Sequence, residues 1–304
     1  MSTMKSRPSA VPEAGAGAAP LLVRLRALRP SLSPAEDRVA EQVLADPRGT
    51  AAMTISELAT AATTSETTVL RFSKRLGLSG YTRLRLALAE ESARPRALAA
   101  SQTDISAADS IDDVIRKIAL ADASAVEETA EQLDRDTLAQ TAKTIARAVR
   151  VDIYGSGASA VVAADLQQKL HRIGCLAFAW SDPHIALTSA ALLGPRDIAI
   201  GISHSGTTRE TIESIATAKA NGARTVAITN FPLSPLARAV DLVLTTAARE
   251  TALRSGATAS RIAALTVVDC LYIAVAQRNL RGTRKAVKST RDAVSSHHVV
   301  ASRQ

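Results

Sequence analysis

Residues 197–211 read D-I-A-I-G-I-S-H-S-G-T-T-R-E-T. The first six, DIAIGI, are apolar and β-branched, the composition of a buried strand. TIESIATAKANG, at 211–222, reads as a helix ended by Gly222. Between them the chain passes Ser203, Ser205, Thr207 and Thr208 with Gly206 in their midst. A helix N-terminus presents backbone N–H groups and the positive end of the helix dipole, which favour an anion. The hydroxyls add donors, and Gly206 lets the backbone come close. One hydroxyl is enough to cap a helix; four suit a phosphate monoester. No P-loop lysine accompanies them, which argues against a nucleoside triphosphate.

Working outward, the chain alternates. Strands are expected at VDIYGS (151–156), CLAFAW (175–180), DIAIGIS (197–203), TVAITN (225–230) and DLVLTT (241–246). Helices are expected near 158–173, 184–193, 207–221 and 234–239, and a long last helix near 257–279. This βαβ series predicts a mostly parallel five-stranded sheet flanked by helices. Ligands of such sheets sit beyond the C-terminal strand ends. A second loop there, G-S-G-A-S (155–159), turns into a helix on glycines but is not G-x-G-x-x-G, since position 160 is Ala. No acid ends the next strand, so a dinucleotide reading is weak.

The chain has 304 residues, 46% hydrophobic and 2% aromatic, enough for two domains with cores of their own. Cys175 and Cys270 lie in apolar segments without zinc spacing, the pattern of core thiols in a reduced, cytoplasmic protein. No metal and no cofactor is expected. Residues 1–20 are Ala/Gly/Pro-rich and lack the Leu-rich run of a signal peptide, so a disordered tail is expected. IAALTVVDCLYIAVA (262–276) carries Asp269 and is short for a bilayer, so no membrane association is expected. Charge is uneven. Residues 1–100 carry 14 Lys+Arg against 9 Asp+Glu, residues 101–277 carry 16 against 19, and residues 278–304 carry 7 against 1. A basic end domain suits a polyanion such as DNA, although a high-Arg composition with no partner gives the same count.

Residues 21–97 read as short helices. Ser33 with Glu36, and Thr54 with Glu57, have capping-box spacing; Pro47 follows the first of these helices as a stop. ISELATAA is short and Ala-rich. Thr63-Thr64 connects it to Ser65, which caps SETTVLRFSKRLG, stopped by Gly77. The pair suggests a helix-turn-helix. Val69, Phe72 and Leu76 fall on an inward face. Glu66, Thr67, Thr68 and Arg71 then face base edges, while Lys74, Arg75, Tyr81, Arg83 and Arg85 face phosphates, and Ser65 at the helix start counts among the DNA-binding residues. A helical hairpin with a solvated basic face remains the alternative.

TISELATAATTSETTVLRFSKRLGLSGYTRLRLAL resembles the N-terminal domain of the RpiR/MurR family of bacterial transcriptional regulators. Ser65–Thr68, Val69, Arg71-Phe72, Lys74-Arg75-Leu76-Gly77 and Gly80-Tyr81 carry the likeness. Thr63-Thr64 departs from the Gly-hydrophobic pair more usual there, which loosens the turn. Residues 110–280 resemble the sugar isomerase (SIS) domain, which binds phosphosugars, through GSGAS, SHSGTT, AITNFPLSPLARAVDLVL and TASRIAALTVVDCLYIAV. The resemblance implies Ser159, Ser203, Ser205 and Thr208 as phosphate ligands and places His184 near the sugar. It also puts Glu250, Arg254 and Arg261 within reach of the pocket.

The whole implies an all-α helix-turn-helix domain (21–97), a linker (98–110), an α/β SIS domain (111–282) and a basic tail (283–304). Its partners are double-stranded DNA with an inverted-repeat operator, a sugar phosphate effector, and a second copy in a homodimer or higher oligomer. The function implied is a non-enzymatic regulator, with repression as the default sign, controlled by an amino-sugar phosphate. N-acetylmuramic acid 6-phosphate comes first, then N-acetylglucosamine or N-acetylmannosamine 6-phosphate. A sugar-phosphate isomerase or lyase with a structural helical domain is the alternative, since Glu250, His184 and His204 offer proton acceptors. A constitutive DNA-binding protein with a vestigial pocket is a third.

Overall fold

The computed structural model describes residues 20–92, 105–250 and 259–294. The chain divides into two compact units between residues 102 and 103.

The first unit is helical: α1 (Leu21–Leu28), a short 3-10 turn (Arg29–Ser31), α2 (Pro34–Ala45), α3 (Pro47–Ala52), α4 (Ile55–Ala61), α5 (Glu66–Arg75) and α6 (Tyr81–Ser92). Both capping boxes form, Ser33 with Glu36 and Thr54 with Glu57. Pro47 does not merely end α2. It is the first residue of α3, capped by Asp46, because proline at that position loses no helix hydrogen bond. Leu25, Val39, Val43, Leu58, Val69, Phe72, Leu76, Leu84 and Leu88 make one core.

The second unit holds α7 (Ile111–Gln132), α8 (Arg135–Ile145), β1 (Val151–Tyr154), α9 (Ala158–Arg172), β2 (Ala177–Trp180), α10 (Pro183–Ala190) and β3 (Ile198–Ile202). It continues with α11 (Arg209–Ala220), β4 (Arg224–Thr229), α12 (Pro235–Ala239), β5 (Leu242–Thr245), α13 (Ala259–Gln277) and α14 (Leu280–Val294). All strand pairs are parallel, in the order β2-β1-β3-β4-β5. The order reverses at β1 and β3, a switch point where loops at the C-terminal strand ends diverge.

Strand alternation sorts the two faces. Ile198, Ile200 and Ile202 of β3 join Val162, Leu166, Val267 and Leu271 of α9 and α13 in one core. Ala199 faces the other way, with Ala186 and Ala190 of α10 and Ile215 and Ala218 of α11. A Cβ on Gly201 would stand 2.8 Å from Ile215 Cγ1, so the small face of β3 admits α11 closely. Buried Asp152 anchors that side: it pairs with Arg150 (2.7 Å) and accepts from Trp180 Nε1 (2.9 Å) and Ser189 Oγ (2.5 Å).

Two expectations are corrected. Part of the expected basic tail, 283–294, is helical and belongs to α14. Leu280, Val287 and Val294 recur every seven residues on one side, with exposed Arg281 and Lys285 turned away from them, and Val287 leans on the core. The last apolar helix runs 19 residues, long and apolar enough to cross a membrane by length and composition alone. Its buried face, Ala263, Val267, Val268, Leu271 and Val275, is instead core of this unit. The expected N-terminal tail and much of the expected linker lie outside the described residues.

Candidate functional site

A cavity of about 260 Å³ opens beyond the C-terminal ends of β1, β3 and β4. Ser156, Ser159, Ser203, His204, Ser205 and Thr208 line it from the strand-end loops, Thr246 and Glu250 after β5, and Ser260, Arg261 and Ala264 from α13. Two helices begin at its wall, α9 after Gly157 and α11 after Thr208, and neither has a side-chain cap bond. The starts of α7, α8, α10 and α12 are capped by Ser110, Asp134, Asp182 and Ser234. The first-turn N–H groups of α9 and α11 therefore lack the side-chain acceptor their neighbours have.

The hydroxyls at α11 bond one another rather than the helix. Ser203 Oγ lies 2.9 Å from Thr208 Oγ1 and accepts from Gly206 N–H at 3.1 Å, and Ser205 Oγ lies 2.8 Å from Thr207 Oγ1. Gly206 has φ +64°, and a Cβ on it would come within 2.1 Å of Ser234 Oγ, so no other residue fits without displacement. Thr229 Oγ1 and Asn230 N–H both donate to the His204 carbonyl (3.1 Å each), tying the loop to the end of β4.

His204, read from the sequence as a proton acceptor for the enzyme alternative and not as a ligand, lines the cavity. Its Nε2 lies 3.9 Å from Glu250 Oε2, its ring meets Phe231 edge-on, and its buried Nδ1 has no partner among the described residues. Burial pushes its pKa below the ordinary 6.5, against a smaller pull upward from Glu250. Ser260 Oγ donates to Glu250 Oε1 (2.5 Å) and holds that carboxylate. Ser156, Thr246 and Ser260 were also unforeseen; only tertiary packing brings them to the same space. The structure thus brings together Ser159, Ser203, Ser205, Thr208, Glu250 and Arg261. It does not bring His184. That residue is exposed on the first turn of α10, which packs on the small-residue face of the sheet, opposite the face bordering the cavity. His184 therefore takes no part in a pocket built by one chain. Arg254 lies outside the described residues.

In the helical unit, several residues expected to face DNA are used internally. Thr68 is only 4% exposed, and its hydroxyl lies 3.1 Å from Ser65 Oγ, which itself accepts from Thr68 N–H to cap α5. Tyr81 is buried, its hydroxyl donating to the Met53 carbonyl (2.9 Å) and clasping α6 to the start of α4. Arg75 donates to the Ser31 carbonyl (2.6 Å) and pairs with Glu36 (3.6 Å), and Arg85 donates to the Ala51 carbonyl (3.0 Å). Glu66 accepts from Ser56 (2.5 Å). Thr67, Arg71 and Lys74 remain exposed along one stripe. Leu70, 40% exposed, lies in the same stripe and was unforeseen. Thr63 takes the left-handed conformation (φ +49°), a strained choice for a β-branched residue. Arg38 spans the turn, donating to the carbonyls of Ala62 (3.1 Å) and Thr63 (2.9 Å), which offsets the departure foreseen at this pair.

Comparison with known proteins agrees with this division. Residues 20–95 match the helix-turn-helix domain of the rpiR family, and residues 144–274 match the SIS domain. The chain is 38% identical over 276 residues to an uncharacterized HTH-type transcriptional regulator of Caldanaerobacter subterraneus subsp. tengcongensis, covering 90% of this chain and 97% of that protein. It is 32% identical over 272 residues to the HTH-type transcriptional regulator RpiR of Escherichia coli K12, covering 90% of each. Among solved structures, the Vibrio vulnificus NanR protein complexed with ManNAc-6P superposes with a TM-score of 0.60 at 30% identity, over 92% of this chain and all of that one. The sugar isomerase domain of an RpiR transcription factor from Sphaerobacter thermophilus gives 0.55 at 26% identity, over 59% of this chain and 98% of that one. With the helix-turn-helix unit, the hydroxyl-lined strand ends and these relatives in view, the chain belongs to the RpiR family of transcriptional regulators, a helix-turn-helix joined to a SIS sugar-phosphate-binding domain.

Proposed function

We propose that this protein is a cytoplasmic, non-enzymatic regulator, a repressor in its default sign, whose operator affinity is set by an N-acetylated amino-sugar 6-phosphate. The observation that carries the reading is the pair of helix starts without side-chain caps at one hydroxyl-lined cavity. Backbone N–H groups and hydroxyls meeting a dianion form charge-assisted bonds, worth about 1.5–3 kcal/mol each. Ser159, Ser203, Ser205 and Thr208 hold the phosphate. His204, Glu250 and Arg261 then face the sugar. ManNAc-6P in the NanR relative supports an amino-sugar phosphate, so N-acetylmannosamine 6-phosphate stands beside N-acetylmuramic acid 6-phosphate. Calorimetry with these phosphates and their unphosphorylated parents tests the reading. Parents binding as tightly as phosphates would refute it. Turnover of any of them would favour the alternative, an isomerase or lyase using Glu250 or His204 as base.

On DNA, Arg71 and Thr67 read base edges, Leu70 meets a thymine methyl, and Lys74 contacts phosphate. Arg71→Ala should relax base preference, while Lys74→Ala should weaken all sequences alike and lower the salt slope by about one. Mobility shifts over a salt series measure both. One helix-turn-helix reads few base pairs, so the protein pairs two copies on an inverted repeat. Exposed Ile111, Ile115 and Ile273 on α7 and α13 offer apolar surface for that pairing. A monomer protecting one half-site would contradict it.

A further inference from the structure

The sheet has a second end that the hydroxyl-lined cavity does not use. Lys143 and Arg147 stand one turn apart at the end of α8, Arg196 lies in the loop entering β3, and Arg224 opens β4. These four cations, with Gln140 and Asp197, line a cavity of about 430 Å³ at the N-terminal strand ends. Asp197 is the one carboxylate among the described lining residues, and it accepts from Gly194 N–H at 2.9 Å. Among the described residues Lys143, Arg147 and Arg196 enter no ion pair. Arg224 has only Asp241, with its Nε 3.7 Å away, and Lys219 shares that carboxylate at 3.2 Å. Like charges gathered from three separate segments repel one another, and the fold supplies little to neutralise them. A helix with one solvated basic face does not account for this, because Arg196 and Arg224 come from loop and strand.

We propose that this end of the sheet is a second anion site, taking a compact polyanion with at least two phosphate groups. Four cations exceed what a single phosphate needs, and guanidinium forks suit phosphate oxygens. Among the described residues no aromatic ring lines the cavity to stack on a base, so a polyphosphate or a multiply phosphorylated polyol fits it better than a nucleotide. The site is distinct in place and chemistry from the hydroxyl-lined cavity at the opposite strand ends and does not depend on its reading.

The probe is inorganic tripolyphosphate, titrated calorimetrically into the full-length protein near physiological salt. Saturable binding at one site per chain is expected. Arg147→Ala/Arg196→Ala should weaken it about a hundredfold, roughly tenfold for each guanidinium removed from the anion. Both side chains are exposed, so an unchanged thermal melt is expected to accompany that weakening. Ser205→Ala should leave tripolyphosphate affinity unchanged, and sugar phosphates should not compete. Absence of saturable binding would overturn the proposal, as would equal binding by the double variant or abolished binding on Lys74→Ala instead. A double variant that keeps tripolyphosphate but loses DNA affinity would mark the surface as a duplex contact and also overturn it.

Discussion

Two helices in this protein begin in similar hydroxyl-rich stretches. TTSETT (63–68) spans the start of α5, with Ser65 as its N-cap, and SHSGTT (203–208) leads into α11, with Thr208 as its N-cap. At α5 the hydroxyls are spent on the fold: Ser65 accepts from Thr68 N–H, and Thr68 is buried against it. At α11 the N-cap residue Thr208 makes no side-chain cap bond, and its neighbours bond sideways around Gly206. The first arrangement stabilises a helix. The second keeps donors available at a cavity, the arrangement an anion needs. The backbone does not separate them: both N-cap residues are extended, and a left-handed residue, Thr63 (φ +49°) or Gly206 (φ +64°), stands two positions before each. What separates them is the partner of the cap hydroxyl, which is the Thr68 N–H for Ser65 and the Ser203 hydroxyl for Thr208.

The largest effect should come from disturbing the turn that holds the hydroxyls before α11. Gly206→Ala forces a side chain into a left-handed position against Ser234, and should cost about 3 kcal/mol from the strain and the clash together. Urea unfolding would read the loss, and effector binding should disappear with it. A variant of wild-type stability that still binds would break the comparison.

Serine removal should then separate the two starts. Ser205→Ala is expected to weaken sugar-phosphate binding about tenfold or more while moving stability little, since about 1.4 kcal/mol is a factor of ten. Ser65→Ala should cost about 1 kcal/mol of stability as a lost cap. Paired calorimetry and denaturant titration on both variants measure this. If Ser205→Ala destabilises as much as Ser65→Ala and leaves affinity unchanged, the hydroxyls at α11 are structural after all.

The turn before α5 offers a smaller gain. Thr63→Gly relieves a β-branched residue at φ +49° and should stabilise by about 0.5–1 kcal/mol after the greater freedom of glycine in the unfolded chain is counted. A decrease in stability would mean that the threonine itself, rather than Arg38, secures the turn.

The smallest effect concerns pH. His204 titrates below the ordinary 6.5 in the folded protein, so between its folded pKa and 6.5 the unfolded chain binds more protons. Its contribution to stability is present above pH 6.5 and is lost as pH falls through the folded pKa. His204→Asn should flatten this part of the stability profile, and an unchanged profile would show that the histidine is not held neutral by burial.

Much of the site was legible beforehand because it is local. Hydroxyls, glycine and helix start follow one another within ten residues, and both capping boxes follow from three-residue spacing. The failures lie where a side chain has a partner far along the chain. Tyr81 looks like a phosphate contact until its hydroxyl is found on Met53, and Arg75 until it reaches Ser31. His204 reads as one proton acceptor among three until Glu250 approaches it from 46 residues away. His184 looks like a sugar ligand until α10 is seen on the far face of the sheet.

Period and punctuation determined the element types from the sequence alone: Ile198, Ile200 and Ile202 alternate with small residues whatever surrounds them, and Ser33, Thr54 and Ser65 cap the helices they precede. Which polar groups remain available to a ligand was decided only by tertiary structure. A hydroxyl or guanidinium is spent as soon as a partner comes within about 3 Å, and the sheet, with α9, α11 and α13 around it, settles which groups meet at the cavity and which are consumed elsewhere.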